Sequence, residues 1–201
     1  MLYEILHYIK RHCGLIWVIF EWCNSRLFQI QHRRGLKGIS GILSSYRDGD
    51  LQVDEAKMDD VYRMTLFFRS QPEEAFRYFH PHEFDEKHLR KLIKRESFLM
   101  FLVKNKGDIV GYFFLRCFAN GNAFKGRMVD FRHRNQGIAK LMGRVINDVV
   151  LLLGLRLYTT ISPENYASLA STKAVDDIRV IRMLDNGYYY IECTPKSKEN
   201  L

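Results

Sequence analysis

The sequence predicts an α+β fold: a mixed, mostly antiparallel central sheet flanked by helices, with a helical arm at its N-terminal end. Three observations predict it. Segments with apolar residues at helical spacing alternate with short runs of large apolar residues. Two turn signatures, Asn105-Lys106-Gly107-Asp108 and Asp185-Asn186-Gly187, each join two such runs as a hairpin. One run ends at Val129 and passes directly into a long amphipathic helix, which places helices against a sheet.

Residues 1–49 read as a basic, apolar helical arm and linker. Lys10, Arg11, Arg26, Arg33, Arg34, Lys37 and Arg47 stand there against Glu4, Glu21 and Asp48. The stretch Leu2 to Ile30 has no proline. Leu2, Ile5, Leu6, Ile9 and Ile16 recur near helical spacing, which predicts one or two helices. Gly35, Gly38 and Gly41 predict a loop or linker. Trp17, Phe20 and Trp22 are costly to leave in water, so the arm must bury against something. Two readings stand for residues 1–30: a helix on an anionic membrane surface, or one packed on the main domain or on a second subunit as a homodimer.

The main domain spans 50–195, followed by a polar tail at 196–201. Asp59 or Asp60 starts a helix running to about Ser70, and Gln71-Pro72-Glu73-Glu74 starts a second. Phe84 to Lys87 opens another, ending near Arg95. Phe98–Lys104 and Ile109–Phe118 form an antiparallel hairpin, and Ala123–Val129 a third strand. Gly137–Leu153 is helical, with Ile138, Leu141, Met142, Val145 and Val149 on one face and Gly154 ending it. Leu155–Ile161 is the next strand, a short helix follows Ser162-Pro163-Glu164-Asn165, and Ile178–Leu184 with Tyr188–Cys193 closes the chain.

Composition bounds the function. The chain has 201 residues and a formal net charge of +8, with 47% apolar and 27% charged residues, which excludes a disordered chain. The basic balance favours anionic partners. Nucleic acid ranks lowest among them, because the basic residues are not interleaved with aromatics as a stacking platform needs. Cys13, Cys23, Cys117 and Cys193 form no Cys-x-x-Cys pair and no metal-ligand spacing, so reduced thiols and no metal are expected. Leu15 to Phe20 is far shorter than the ~20 residues a spanning helix needs, and no small-residue cleavage site follows it. A cytoplasmic protein is expected, with the inner face of the membrane as its one peripheral location.

The most informative segment is Val129-Asp130-Phe131-Arg132-His133-Arg134-Asn135-Gln136-Gly137-Ile138-Ala139. It carries Arg-x-x-Gly-x-Ala between a strand and a helix. Backbone N–H groups in such a turn point outward, and the helix N-terminus adds partial positive charge. Together they suit a pyrophosphate. Gly137 lets the backbone approach phosphates without a Cβ. Arg132, Arg134 and Lys140 add charge.

Here the chain resembles the GNAT superfamily of acyl-coenzyme A-dependent N-acyltransferases. The resemblance rests on Val129-Asp130 ending a strand, on Arg134-x-x-Gly137-x-Ala139, and on Asn165-Tyr166-Ala167-Ser168 after the next strand. Ile109-Val110-Gly111-Tyr112 and Phe79-His80-Pro81-His82-Glu83-Phe84 are also similar. It covers about residues 51–194. It implies acetyl-coenzyme A as donor, with the amides of Arg134, Asn135, Gln136, Gly137, Ile138 and Ala139 on the pyrophosphate and Lys140 beside them. It implies that the backbone of Met128 and Val129 pairs with the pantetheine arm, and that Asn165 and Ser168 hold that arm. Asn165 equally suits a helix N-cap. Three positions depart from the family: Phe131 for a proline, Thr172 for a tyrosine that protonates the leaving thiolate, and Gly187-Tyr188 for Gly-Phe.

Acyl transfer to an amine needs a base, a proton donor and alignment. His80, His82 and Glu83 are the candidate bases, and Tyr188 offers a hydroxyl. Three functions follow. The first is an N-acetyltransferase acting on a small amine acceptor such as an amino-sugar. The second is a catalytically silent acyl-coenzyme A-binding module, motivated by Thr172. The third is a nucleic-acid or ribosome-associated protein, motivated by charge alone.

Overall fold

The computed structural model describes residues 14–47 and 49–196. The part of the arm at 1–13, including Leu2, Ile5, Leu6 and Ile9, and the tail from 197 onward lie outside the described residues.

A long helix, α1 (Gly14–Ser45), precedes strand β1 (Leu51–Glu55) and helix α2 (Val61–Arg69). A single 3-10 turn, Glu73–Phe76, follows Pro72, where an α-helix was expected. Helix α3 (Glu86–Ile93) is capped by Asp85, whose carboxylate accepts the His88 amide at 3.0 Å. Then come β2 (Phe98–Asn105), β3 (Asp108–Cys117), β4 (Asn122–Val129), α4 (Ile138–Leu153), β5 (Arg156–Ile161), α5 (Tyr166–Lys173), β6 (Asp176–Met183) and β7 (Tyr189–Pro195). The strands form one seven-stranded sheet in the order β1-β2-β3-β4-β5-β7-β6. All neighbours are antiparallel except β4 and β5.

Local chemistry sets the turns. Lys106 and Gly107 both have positive φ, 50° and 89°, as a two-residue hairpin whose twist matches its strands requires. Gly154, at φ 63°, ends α4 in the left-handed conformation, and the Leu155 amide bonds back to the Val150 carbonyl at 3.0 Å.

The sheet buries both faces. On one lie α1 and α4, with Phe28, Ile39, Phe101, Phe113, Met142, Val145 and Ile146 in a single cluster. On the other lie α2, α3 and the segment around Phe76–Phe84, packed on Met64, Leu102, Tyr112 and Met128.

Two expectations are corrected. Strand β1 was not foreseen. Its five residues pair with β2 from Leu51↔Asn105 to Glu55↔Phe101, but only Val53 is buried, so the apolar alternation is slight. The glycines at 35, 38 and 41 do not break the chain; they lie inside α1. Gly35 and Gly38 permit a close helix crossing. A Cβ on Gly35 would stand 2.7 Å from Leu153 Cδ2, and one on Gly38 3.2 Å from Leu152 Cδ2. Tyr46 extends the contact by donating its hydroxyl to Asp148 at 2.8 Å.

These contacts separate the glycines by role. Gly35→Ile should lower stability by about 1–3 kcal/mol through overpacking on α4. Gly41→Ala meets no atom within 4 Å and should raise it by up to about 1 kcal/mol through helix propensity. Urea melts of the two variants read both signs.

Candidate functional site

The site begins where β4 and β5 part. They are paired only over Asn122–Phe124 and Arg156–Tyr158. Beyond that point β4 continues to Val129 with no strand on its β5 side. Peptide groups alternate sides along a strand. The Asp130 amide bonds to Val110 on β3, and the Lys125 carbonyl accepts Thr159 Oγ1 at 3.3 Å across the gap. Even-numbered peptides therefore face β3, and those of Arg127 and Val129 face the opening. Of the two residues expected to offer backbone there, Val129 does so. Met128 is turned to β3, and its side chain is buried on the α2 face.

At the head of β4 the chain makes a buried anchor. The Asp130 side chain has no solvent exposure. It accepts the Arg132 amide at 2.8 Å, Arg132 Nε at 3.0 Å and Nη2 at 2.8 Å, and Gln71 Nε2 at 3.1 Å, with His133 Nδ1 at 3.4 Å. The Arg132 guanidinium, ahead of the opposing cost of burial, holds this carboxyl far below the usual aspartate range. Gln71, at the end of α2, also accepts the Phe131 amide at 3.1 Å.

The loop that follows is open to solvent from Arg134 to Gly137. Asn135 has φ 59° and Gly137 φ 79°. Among the described residues, no protein acceptor meets the amides of Arg134, Asn135, Gln136 and Gly137. Those of Ile138, Ala139 and Lys140 are the free donors of the first turn of α4. A Cβ on Gly137 would touch nothing. The glycine answers the positive φ rather than a close approach of protein atoms. The loop is thus a concave run of amide donors at the positive end of a 16-residue helix, with the Arg134 and Lys140 side chains exposed beside it.

Behind the gap, on the α4 side, β4 carries two cations, Lys125 buried and Arg127 half-buried. Lys125 pairs with Asp176 at the start of β6, both side chains almost wholly enclosed. The Arg127 guanidinium donates to the Ala139 carbonyl at 2.8 Å, to Ser171 Oγ at 2.9 Å and to Thr172 Oγ1 at 2.8 Å. It ties the first turn of α4 to the last turn of α5. Thr172 is buried in that bond, away from the opening. Asn165 caps α5, its Oδ1 accepting the Ser168 amide at 3.1 Å, while the Ser168 carbonyl accepts Ser171 Oγ at 3.1 Å.

On the opposite face the segment after α2 crosses the sheet. Phe79 lies over Gly126 of β4, where a Cβ would stand 3.2 Å from its ring. Tyr78 donates its hydroxyl to Glu164 Oε2 at 3.2 Å, and Arg77 bonds the same oxygen at 3.1 Å. The segment is thereby latched to the β5–α5 loop across the gap. Loss of solvation, then the Glu164 bond, pushes the Tyr78 phenol up, and Tyr188 lies near enough to add to the effect.

The candidate bases divide. His80 and Glu83 are exposed, whereas His82 is mostly enclosed. Its Nδ1 lies 2.8 Å from the Glu83 carbonyl and Nε2 2.8 Å from the Tyr112 hydroxyl. A carbonyl can only accept, so Nδ1 carries the proton and Nε2 accepts from Tyr112. Burial pulls the His82 pKa down and holds the ring neutral. Its ring packs on Phe98, Tyr112 and Phe114 of β2 and β3, one strand away from β4. Its surroundings are those of a core histidine rather than a free base. Tyr188 is half-buried in the turn just before β7. Gln71, Tyr78, Arg127 and Glu164 were not singled out from sequence. Only Arg127 left a signal there: with Lys125 it places charge on the face of a strand that also carries Ala123 and Val129. Among the described residues, no group of three or more His, Cys, Asp or Glu side chains is placed to hold a metal.

The sequence matches no protein-family model and no curated protein. Solved structures do match. The GNAT domain of S. lividans PAT superposes with a TM-score of 0.62 at 16% identity, over 71% of this chain and 89% of that one. RimJ of Mycobacterium smegmatis, in complex with CoA-disulfide, gives 0.58 at 18% identity over 75% and 83%. The ribosomal-protein-S5-alanine acetyltransferase from Vibrio fischeri gives 0.59 at 14% identity over 76% and 96%. The chain has the fold of these GNAT acetyltransferases.

The Asp130 anchor has a pH signature. Its folded pKa is depressed, so its contribution is complete above the unfolded aspartate value near ~3.9 and is lost as pH falls below it. Asp130→Asn should cost about 1–3 kcal/mol near neutral pH by leaving buried donors poorly matched. The gap in melting temperature between this variant and the parent should narrow below about pH 4.

Proposed function

We propose that the chain, with the GNAT fold as its frame, binds an acyl-coenzyme A at the β4–α4 loop and transfers the acyl group to an amine. The observation that carries this reading is the run of unpaired amides from Arg134 to Lys140, set at the open end of the gap between β4 and β5. A pyrophosphate fits that donor set: all its groups are acceptors and it is anionic, while Arg134 and Lys140 stand free beside it. The peptide groups of Arg127 and Val129 are unpaired toward the gap and suit an extended amide-bearing arm added as a strand. Asn165 and Ser168 stand at the facing α5 terminus. RimJ and the aminoglycoside acetyltransferase AAC(6')-Ib, a second structure of this fold (TM-score 0.58, 10% identity, over 75% of this chain and 96% of that one), were solved with CoA forms bound, which supports the donor.

Bound acetyl-coenzyme A supplies a thioester. The acceptor nitrogen attacks its carbonyl, an N–C bond forms, the C–S bond breaks, and the thiolate leaves. The nitrogen must shed a proton and the sulfur must gain one. The residues at the mouth of the gap suit these needs. Glu164 is an acceptor of protons and attracts an ammonium. Tyr78 holds it in place and keeps its own proton. Tyr188, in the turn before β7, is assigned the proton donor for the thiolate, in place of the tyrosine absent at Thr172. His80 and Glu83 are exposed on the segment that carries Phe79 and Tyr78. His82 is assigned to holding the segment that carries Phe79 and Tyr78. Phe79 gives an apolar ring face and Tyr78 a hydroxyl, which suits a small ring bearing an amine, such as an amino-sugar. Buried Thr172 favours a second reading, in which the cofactor binds without turnover.

Release of free thiol from acetyl-coenzyme A with a panel of small amines separates the two readings. Turnover supports transfer, and a rise in melting temperature with acetyl-coenzyme A but no thiol release supports the silent module. Gly137→Val should weaken acetyl-coenzyme A binding by roughly tenfold or more, because a β-branched residue at φ 79° costs about 1–3 kcal/mol and displaces the loop. Glu164→Gln should lower kcat/KM by roughly 10–100-fold and leave cofactor binding unchanged.

A further inference from the structure

Helix α1 is apolar on two sides. Its inner side is held to the body of the protein. Phe28, Ile39 and Leu43 are buried, Glu21 Oε2 pairs with Arg95 Nη1 at 2.7 Å, Ser25 Oγ donates to Glu96 Oε2 at 3.0 Å, and Asn24 Nδ2 donates to the Cys117 carbonyl at 3.1 Å. The outer side of the same turns carries Ile19, Trp22, Leu27 and Ile30, exposed by 54, 61, 53 and 73%. A helix packed on one face needs an apolar stripe on that face only. Large apolar residues gathered on the other mark a surface that meets a second apolar phase.

The next turns of the outer face change character. Arg33, Arg34 and Lys37 are exposed in line with Ile30, and Arg26 stands among the apolar residues, its guanidinium 5.9 Å from the Trp22 ring. Helix α3, on the other face of the sheet, carries a basic row of its own, in which Lys87, Arg90, Lys91 and Lys94 line one shallow depression. It runs on through Arg95 and Glu96, the residues that hold α1. The apolar patch is about 17 Å long and is continued along the same axis by cations. A second copy of the chain would bring like charges together, since each carries +8. An anionic lipid surface satisfies both halves at once: apolar side chains enter the headgroup boundary, tryptophan takes the interface it favours, and the cations meet phosphates. Among the described residues, no helix is long and apolar enough to cross a membrane.

We propose that α1 lies in the plane of an anionic lipid surface, with Trp22, Leu27 and Ile30 at the headgroup boundary and Arg33, Arg34 and Lys37 on the lipid phosphates. The proposal does not depend on the reading of the β4–α4 loop. The full chain should co-sediment with vesicles of phosphatidylcholine and phosphatidylserine, not with phosphatidylcholine alone, and should be released by salt. Trp22→Glu with Ile30→Glu, and Arg33→Glu with Arg34→Glu and Lys37→Glu, should each weaken the binding by roughly tenfold or more. All five side chains are exposed, so the parent melting temperature should be kept, and the salt dependence of the unsubstituted chain tests the charged half without any variant. Absence of binding to the anionic vesicles, or binding that neither variant alters, overturns the proposal. So does a dimer in solution that Trp22→Glu with Ile30→Glu converts to a monomer, which gives the face to a second copy.

Discussion

The buried Lys125–Asp176 pair stands where the sheet divides, and the arrangement of the candidate site follows from it. Moving two charges out of water is unfavourable unless each meets the other in good geometry, and removing one partner alone costs about 3–5 kcal/mol. Lys125 lies one residue past the last β4–β5 pair, and Asp176 opens β6 directly after α5. The pair therefore fixes where α5 must end relative to β4. Arg127, two residues on and on the same face, then reaches both α5 and the first turn of α4. The strands are kept apart by polar groups that need each other, and the gap they leave has peptide groups along one wall.

A second linkage crosses the sheet from the other face. Gln71 closes α2 and gives both ends of its amide to the β4–α4 loop, one to Asp130 and one to the Phe131 peptide. The helix that leads into the Phe76–Phe84 segment and the loop of free amides are thus anchored to the same buried carboxylate. The latch of Tyr78 and Arg77 on Glu164 sits at the start of that segment. The two walls of the gap are positioned by contacts outside it.

Much of this was legible because it is local. Hairpin turns, the amphipathic run from Ile138 to Leu153, the Asn165 cap and the loop at Gly137 are written in a few consecutive residues. What was not legible depends on partners far along the chain. Gly35 and Gly38 read as a linker because a glycine that admits a facing leucine looks like one that breaks a helix. Strand β1 is short and mostly half-buried, so its pattern is faint. His82 looked like a base in a His-Pro-His loop until the Tyr112 hydroxyl was found on its second nitrogen, and nothing near residue 82 announces Tyr112. Gln71 and Glu164 are ordinary surface letters whose roles exist only in three dimensions. The turn from β4 into α4 is legible from its residues, and Gly137 answers its own backbone angle rather than crowding.

The strand order carries a consequence for how the protein is made. In β5-β7-β6 the last strand in the chain lies between the two that precede it. When β6 leaves the ribosome its future neighbour has not been synthesised, and most of its residues are exposed even in the finished fold. It has nothing to pair with until Tyr189–Pro195 follows and brings Ile191 and Cys193 into the interior. Asp176, at the root of β6, waits with it. The wedge beside the gap thus becomes rigid only after Tyr189–Pro195 has been made, so a ligand that requires a formed cleft must wait for that strand.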